Sequence, residues 1–170
     1  MLLSKDYRIR NRALLALGNL VLDGTNNFSI CFSNFAAVDV CTYMSQNEKL
    51  DLIIAVGVKA ETFHEKYNVA RLLANLCINE PNRRIIIKSN GLQLMLSYLL
   101  AKDKELNRQA LRCIKNIAAL DDAKIMLVEE ETITMLLTIY PEKVGLIQRQ
   151  LAEILGLLAC HRKFIFCSKF

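Results

Sequence analysis

The chain has 170 residues, 53% of them hydrophobic, a formal net charge of +5, six cysteines and no tryptophan. That is enough apolar residue for a continuous core, and the mild positive balance favours acidic partners without by itself indicating nucleic acid. No apolar run approaches the roughly 18 residues of a membrane span, the longest candidate being Leu52 to Val58, and Met1-Leu2-Leu3 passes at once into Ser4-Lys5-Asp6-Tyr7-Arg8, which is not a signal-peptide pattern.

Only 2 prolines and 6 glycines occur among abundant Leu, Ile and Ala, a composition suited to an all-helical protein. The first strong signal is the phrase Ala13-Leu14-Leu15-Ala16-Leu17-Gly18-Asn19-Leu20. It returns as Val69 to Leu76 around Asn75, as Ala110 to Ile117 around Asn116, and without its Asn as Leu151 to Leu158. Asn75 to Asn116 is 41 residues and Asn116 to Leu157 is 41 again, a period that predicts a stacked-helix solenoid. Asn19 to Asn75 is 56, so 15 extra residues fall in this interval. Matching Asn26–Asn34 to Asn82–Asn90 as a first helix and Phe35–Met44 as a second puts the excess near 45–64. There Leu50 to Val58 is too apolar for a solvated loop. An additional packed helix or a lengthened third helix is expected, with a specialised binding insert as the alternative.

The unit from Pro81 is the clearest. Asn79-Glu80-Pro81 reads as a helix start, Asn82–Lys88 as a short first helix, and Asn90-Gly91 as its stop, with Gly expected to supply left-handed backbone. Leu92–Leu100 is a second helix. After the polar Lys102-Asp103-Lys104 comes a third, from about Glu105 to Ala118. Its apolar Leu106, Ala110, Cys113, Ile114 and Ile117 have amphipathic spacing. The next unit, Asp121 to Leu158, is looser, because Glu130-Glu131 replaces Asn90-Gly91.

This three-helix unit, with a Gly between its first two helices and a third ending in A-x-x-A-L-x-N-L, resembles the armadillo repeat; the two-helix HEAT repeat is the runner-up. The resemblance implies an all-α, right-handed superhelical solenoid forming one domain over 1–170. Its parts are a partial repeat at 1–20, a repeat with an insertion at 26–78, repeats at 81–118 and 121–159, and the start of another at 160–170. Leu2-Leu3-Ser4-Lys5-Asp6 aligns with Leu99 to Asp103, and Cys160 to Phe166 reads as the opening of a first helix. This phase leads to the expectation of a fragment or isoform of a longer array, or of ends covered by something else. Phe164, Ile165, Phe166 and Phe170 would lie at an open end, and end-to-end self-association is a corollary.

The resemblance also implies a scaffold without enzymatic activity, binding other proteins along a concave groove lined by third helices. Asn19, Asn75 and Asn116 would hold an extended peptide's backbone, since an amide both donates and accepts; the alternative is that they hydrogen-bond only their own repeat's backbone. Four residues before the Asn stand Leu15, Arg71, Arg112 and Glu153. Eight before stand Asn11, Tyr67, Arg108 and Arg149, on the same helical face. The importin-alpha branch carries Trp at the first of these places to receive basic peptides. With Arg there instead, import cargo is disfavoured and the groove is closer in charge to the beta-catenin branch. Arg71, Arg108, Arg112 and Arg149, with Lys115, would receive an acidic peptide, Glu153 being the one acid; a solvated charged face is the alternative. Competing classes are a structural segment of a larger scaffold acting through its ends and insert, and RNA or DNA binding. Only Tyr67 offers a stacking surface near the track, which disfavours the latter.

The rest is sparse. The cysteines form no C-x-x-C and read as small buried hydrophobes in a reducing compartment. Cys160-His161 with Cys167 fits no common zinc spacing, and Gly18, Gly24 and Gly57 are isolated rather than a phosphate loop. No cofactor or metal is implied. The location expected is the cytoplasm, with the nucleus as a further alternative.

Overall fold

The computed structural model describes residues 1–25, 43–44, 48–129, 132–139 and 145–160, and all regular structure among them is helical. The helices are α1 (Tyr7–Thr25), α2 (Lys49–Val58), α3 (Phe63–Leu76), α4 (Glu80–Lys88), α5 (Gly91–Leu99), α6 (Lys104–Ala118), α7 (Asp121–Glu129), α8 (Thr132–Ile139) and α9 (Leu146–Ala159). The long helices α1, α3, α6 and α9 pack on one another in that order. The short helices lie against them.

Each start has a local cause. Asp103 accepts from Leu106 N at 2.9 Å to begin α6. Asn79 accepts from Asn82 N at 3.2 Å to begin α4, with Pro81 in its first turn. At α3, Thr62 Oγ1 accepts from Glu65 N at 3.3 Å and donates to Glu65 Oε2 at 3.1 Å, so the T-x-x-E run satisfies its own helix end. Between α4 and α5 the left-handed residue is Asn90, at φ 61°, and not Gly91 as the sequence led us to expect. Gly91 is required for a different reason: a Cβ there would lie 2.5 Å from Ile86 Cγ2 and 2.8 Å from the Ile86 carbonyl oxygen. Asn90 supplies the turn, and Gly91 lets α5 close onto α4.

Within 45–64 the structure has a packed helix, α2, and its spacing to α3 is that of α5 to α6. It packs on α3, α4 and α5, and left-handed Glu48, at φ 58°, precedes it as Asn90 precedes α5. Lys49 to Asn75 is 26 residues and Gly91 to Asn116 is 25. The surplus in the 56-residue interval therefore lies upstream of Glu48. The first helix expected at 26–34, most of the second expected at 35–44, the Glu130-Glu131 junction and the start of a further repeat after Cys160 lie outside the described residues.

One core runs through the stack. Leu14 in α1, Leu72, Leu73 and Leu76 in α3, Leu111 and Ile114 in α6, and Leu151, Ile154 and Leu158 in α9 are wholly buried. Area removed from water is the main stabilising term in such a stack. Polar ties fix the register: Asn107, nearly buried, donates to the Tyr98 and Ala101 carbonyls at 3.0 Å each and so ends α5. Glu65, fully buried, binds Arg10 of α1 at 2.7 Å. Cys77 and Cys113 meet across the α3–α6 seam with sulfurs 3.3 Å apart. Burial, then the contact with Cys113, pushes the Cys77 thiol well above its ordinary range. Cys160 is exposed, unlike the buried cysteines the sequence suggested.

Candidate binding face on the third helices

All eight candidate residues lie on the stacked helices: Asn19 on α1; Tyr67, Arg71 and Asn75 on α3; Arg108, Arg112 and Asn116 on α6; Arg149 on α9. The 3.6-residue period puts the residues of each helix on one face. Packing of α1, α3 and α6 brings those faces edge to edge.

The asparagines are tied into the solenoid in a repeated way. Asn75 Nδ2 donates to the Gly18 carbonyl at 3.2 Å, and Asn116 Nδ2 donates to the Ala74 carbonyl at 3.1 Å. In both cases the acceptor is the residue just before the preceding asparagine. The amide oxygens face the other way. Asn75 Oδ1 accepts from the Arg112 guanidinium, and Asn19 Oδ1 accepts from Arg71. Asn75 is consequently 1% exposed. Asn116 is half-buried and Asn19 exposed.

Arg71 and Arg112 thus cross the seams between helices and end on neutral amides. Gly18 lies beneath Arg71, so close that a Cβ there would sit 3.3 Å from the guanidinium Nη2. Ala74 holds the corresponding place one step along. Arg112 also reaches Gln109 Oε1 at 3.4 Å, another neutral group. Arg108 differs: it pairs with Glu105, one turn back on α6, at 2.8 Å. Lys115 pairs with Glu153 of α9 at 2.6 Å. Arg149 is exposed. Tyr67 is half-buried and stacks on Phe63 at 5.9 Å.

The sequence located the rows but missed what happens between them. Glu105 and Glu153 cancel two of the predicted charges, while among the described residues no carboxylate pairs with Arg71 or Arg112. The position immediately before each Asn was the overlooked signal. It reads Gly18, Ala74 and then Lys115: small where an arginine crosses, and charged where Glu153 stands in its place. Among the described residues no group of three or more His, Cys, Asp or Glu could hold a metal, and no helix is long and apolar enough to cross a membrane.

The family described as Armadillo/beta-catenin-like repeat matches residues 79–119, the segment of α4, α5 and α6. An engineered protein of known structure superposes with a TM-score of 0.77 at 17% identity, covering 94% of this chain and 60% of its own. A structure described by a phosphorylation switch controlling the interaction between cadherin and beta-catenin superposes at 0.72 and 16% identity, over 98% of this chain and 30% of that one. Computationally designed armadillo repeat proteins for modular peptide recognition superpose at 0.57 and 16% identity, over 92% and 78%. The chain thus spans about 60% of the first of these structures and less than a third of the second. No curated protein matches by sequence.

Proposed function

The chain carries an armadillo repeat and folds as an armadillo solenoid, and from that premise we propose that it is a protein-binding scaffold whose third-helix face receives an extended, acidic segment of a partner. The observation that carries this reading is the state of Arg71 and Arg112. Each guanidinium is held in place, yet its partner is an uncharged amide, so its positive charge is left for an incoming anion. A guanidinium offers five N–H donors in a fixed fork, and these bonds use only some of them. Arg149 extends the track onto α9. Arg108 and Lys115 contribute less, because Glu105 and Glu153 already hold them.

The test is fluorescence anisotropy with a labelled glutamate-rich extended peptide and, as a control, its lysine-rich counterpart. The wild-type chain binds the acidic peptide and not the basic one. Arg71→Glu with Arg112→Glu reduces that binding by a hundredfold or more, each site exchanging an attraction of roughly 1.5 kcal/mol or more for a repulsion, and leaves the helical circular dichroism unchanged. Undiminished binding by the double variant would sink the reading.

A further inference from the structure

The repeated asparagine is expected, by resemblance, to hold a peptide backbone; here two of the three have their carbonyl oxygens occupied by an arginine from the next third helix. We infer that Asn19 and Asn75 are positioning residues: they aim Arg71 and Arg112 at an anionic side group of the partner, a carboxylate or a phosphate, and the arginines make the contact. The inference rests on the binding function proposed above and specifies which groups on the face meet the ligand.

Three observations converge on it. The arrangement occurs twice with the same parts: a small residue, Gly18 or Ala74; an asparagine directly after it; and an arginine from the following helix bonded to the asparagine oxygen. The orientation of the Asn75 amide is fixed from its nitrogen side. Asn75 Nδ2 is fixed on the Gly18 carbonyl, which turns Oδ1 toward Arg112. With Asn75 only 1% exposed, a peptide backbone has little of its amide left to read. Finally, the third step omits the arrangement as a set. Where an arginine would cross Asn116 there is Glu153, and where the small residue would lie there is Lys115; these two bond each other instead.

The chemistry explains why an amide serves here and a carboxylate would not. An acidic partner would hold the arginine as firmly but would cancel the charge that attracts the ligand. An amide oxygen restrains the long side chain, which otherwise loses considerable rotamer entropy on binding, and leaves the net charge intact. The bound anion then meets a guanidinium already placed.

A double-mutant cycle separates positioning from direct contact. The probes are a fluorescein-labelled peptide alternating Glu and Ser and the same peptide with phosphoserine, both titrated into the full chain. Asn19 is the first target, because it is exposed and its truncation leaves no buried gap. Asn19→Ala weakens binding about tenfold, and the loss disappears when Arg71→Ala is already present. The Asn75 and Arg112 pair repeats the cycle, with thermal melting to confirm folding of each variant. In parallel, the Arg71 Nε–H resonance, distinct in the wild type, moves to the position of a free arginine in Asn19→Ala. A loss that persists in the Arg71→Ala background would show that the asparagine touches the peptide itself and would overturn the inference, as would an unchanged Arg71 resonance. Binding of neither peptide by the wild-type chain would overturn the parent reading and this one with it. Tighter binding of the phosphorylated peptide assigns the anion as phosphate, and equal binding assigns it as carboxylate.

Discussion

The α1–α3 and α3–α6 seams carry arginine over asparagine, whereas the α6–α9 seam carries a lysine–glutamate pair in the same place. Beneath these surfaces the three seams are alike, each filled by wholly buried aliphatic side chains. The solenoid therefore separates two jobs. Inward residues repeat because every helix must bury its stripe against the next. Outward residues at fixed offsets are free to differ, and it is there that an anion-receptive step becomes a self-neutralised one. An exposed lysine–glutamate pair contributes little to stability, so its consequence at Lys115 and Glu153 is to cancel a charge.

The largest effect expected concerns the shared part of that comparison. Leu72→Ala at the α3 seams and Leu151→Ala at the α9 seam each remove a wholly buried leucine and should cost about 3 kcal/mol of unfolding free energy. Urea denaturation followed by circular dichroism measures both. Similar costs mean that one scaffold underlies both kinds of seam. A Leu151→Ala cost below about 1 kcal/mol, short of the usual range for a buried leucine, would show that α9 is held more loosely, and the comparison would then be of scaffolds as well as surfaces.

Converting one kind of seam into the other addresses the part that differs. Lys115→Ala with Glu153→Arg transfers the pattern of Ala74, Asn75 and Arg112 one step along the stack, with Asn116 already present and anchored to the Ala74 carbonyl. The expected result is affinity for the glutamate-rich peptide about tenfold higher, the gain of one charge-assisted contact. Glu153→Ala alone frees Lys115 and should gain less. No gain from the double change would mean that the first two seams owe their character to something other than this set of residues.

How much of this was legible beforehand depends on where the information resides. The α4–α6 unit was readable as three helices and their turns, because Asn79, Asn90-Gly91 and Asp103 act on neighbours a few positions away, although the left-handed residue proved to be Asn90. Helix α2 was legible as a packed apolar helix but not in its place within the repeat, since Glu48 takes the left-handed conformation that Asn or Gly usually marks. The candidate face was legible as rows, because i and i+4 positions fall on one side of a helix. Its bonds were not. Arg71 meets a residue 52 positions earlier and Arg112 one 37 positions earlier, and periodicity within a helix carries no information about which side chain of the neighbouring helix it crosses.

The smallest effect tests whether the close approach at Gly18 matters to the arginine above it. Gly18 is within α1, where alanine is intrinsically favoured by roughly 0.5–1 kcal/mol. The new methyl would meet Arg71 Nη2 at 3.3 Å and Nε at 3.4 Å, the flexible end of a side chain, which can yield by a few tenths of an ångström. Gly18→Ala should therefore raise stability by about 0.5 kcal/mol while shifting the Arg71 guanidinium slightly against Asn19. Binding of the acidic peptide then falls about twofold, the partial loss of a contact whose full removal is about tenfold. Gain in one quantity with loss in the other is the expected signature, read by thermal melting and anisotropy on the same sample. If both rise, Arg71 needs no bond to Asn19 to meet the anion, and Gly18 is only a place where the helices come close.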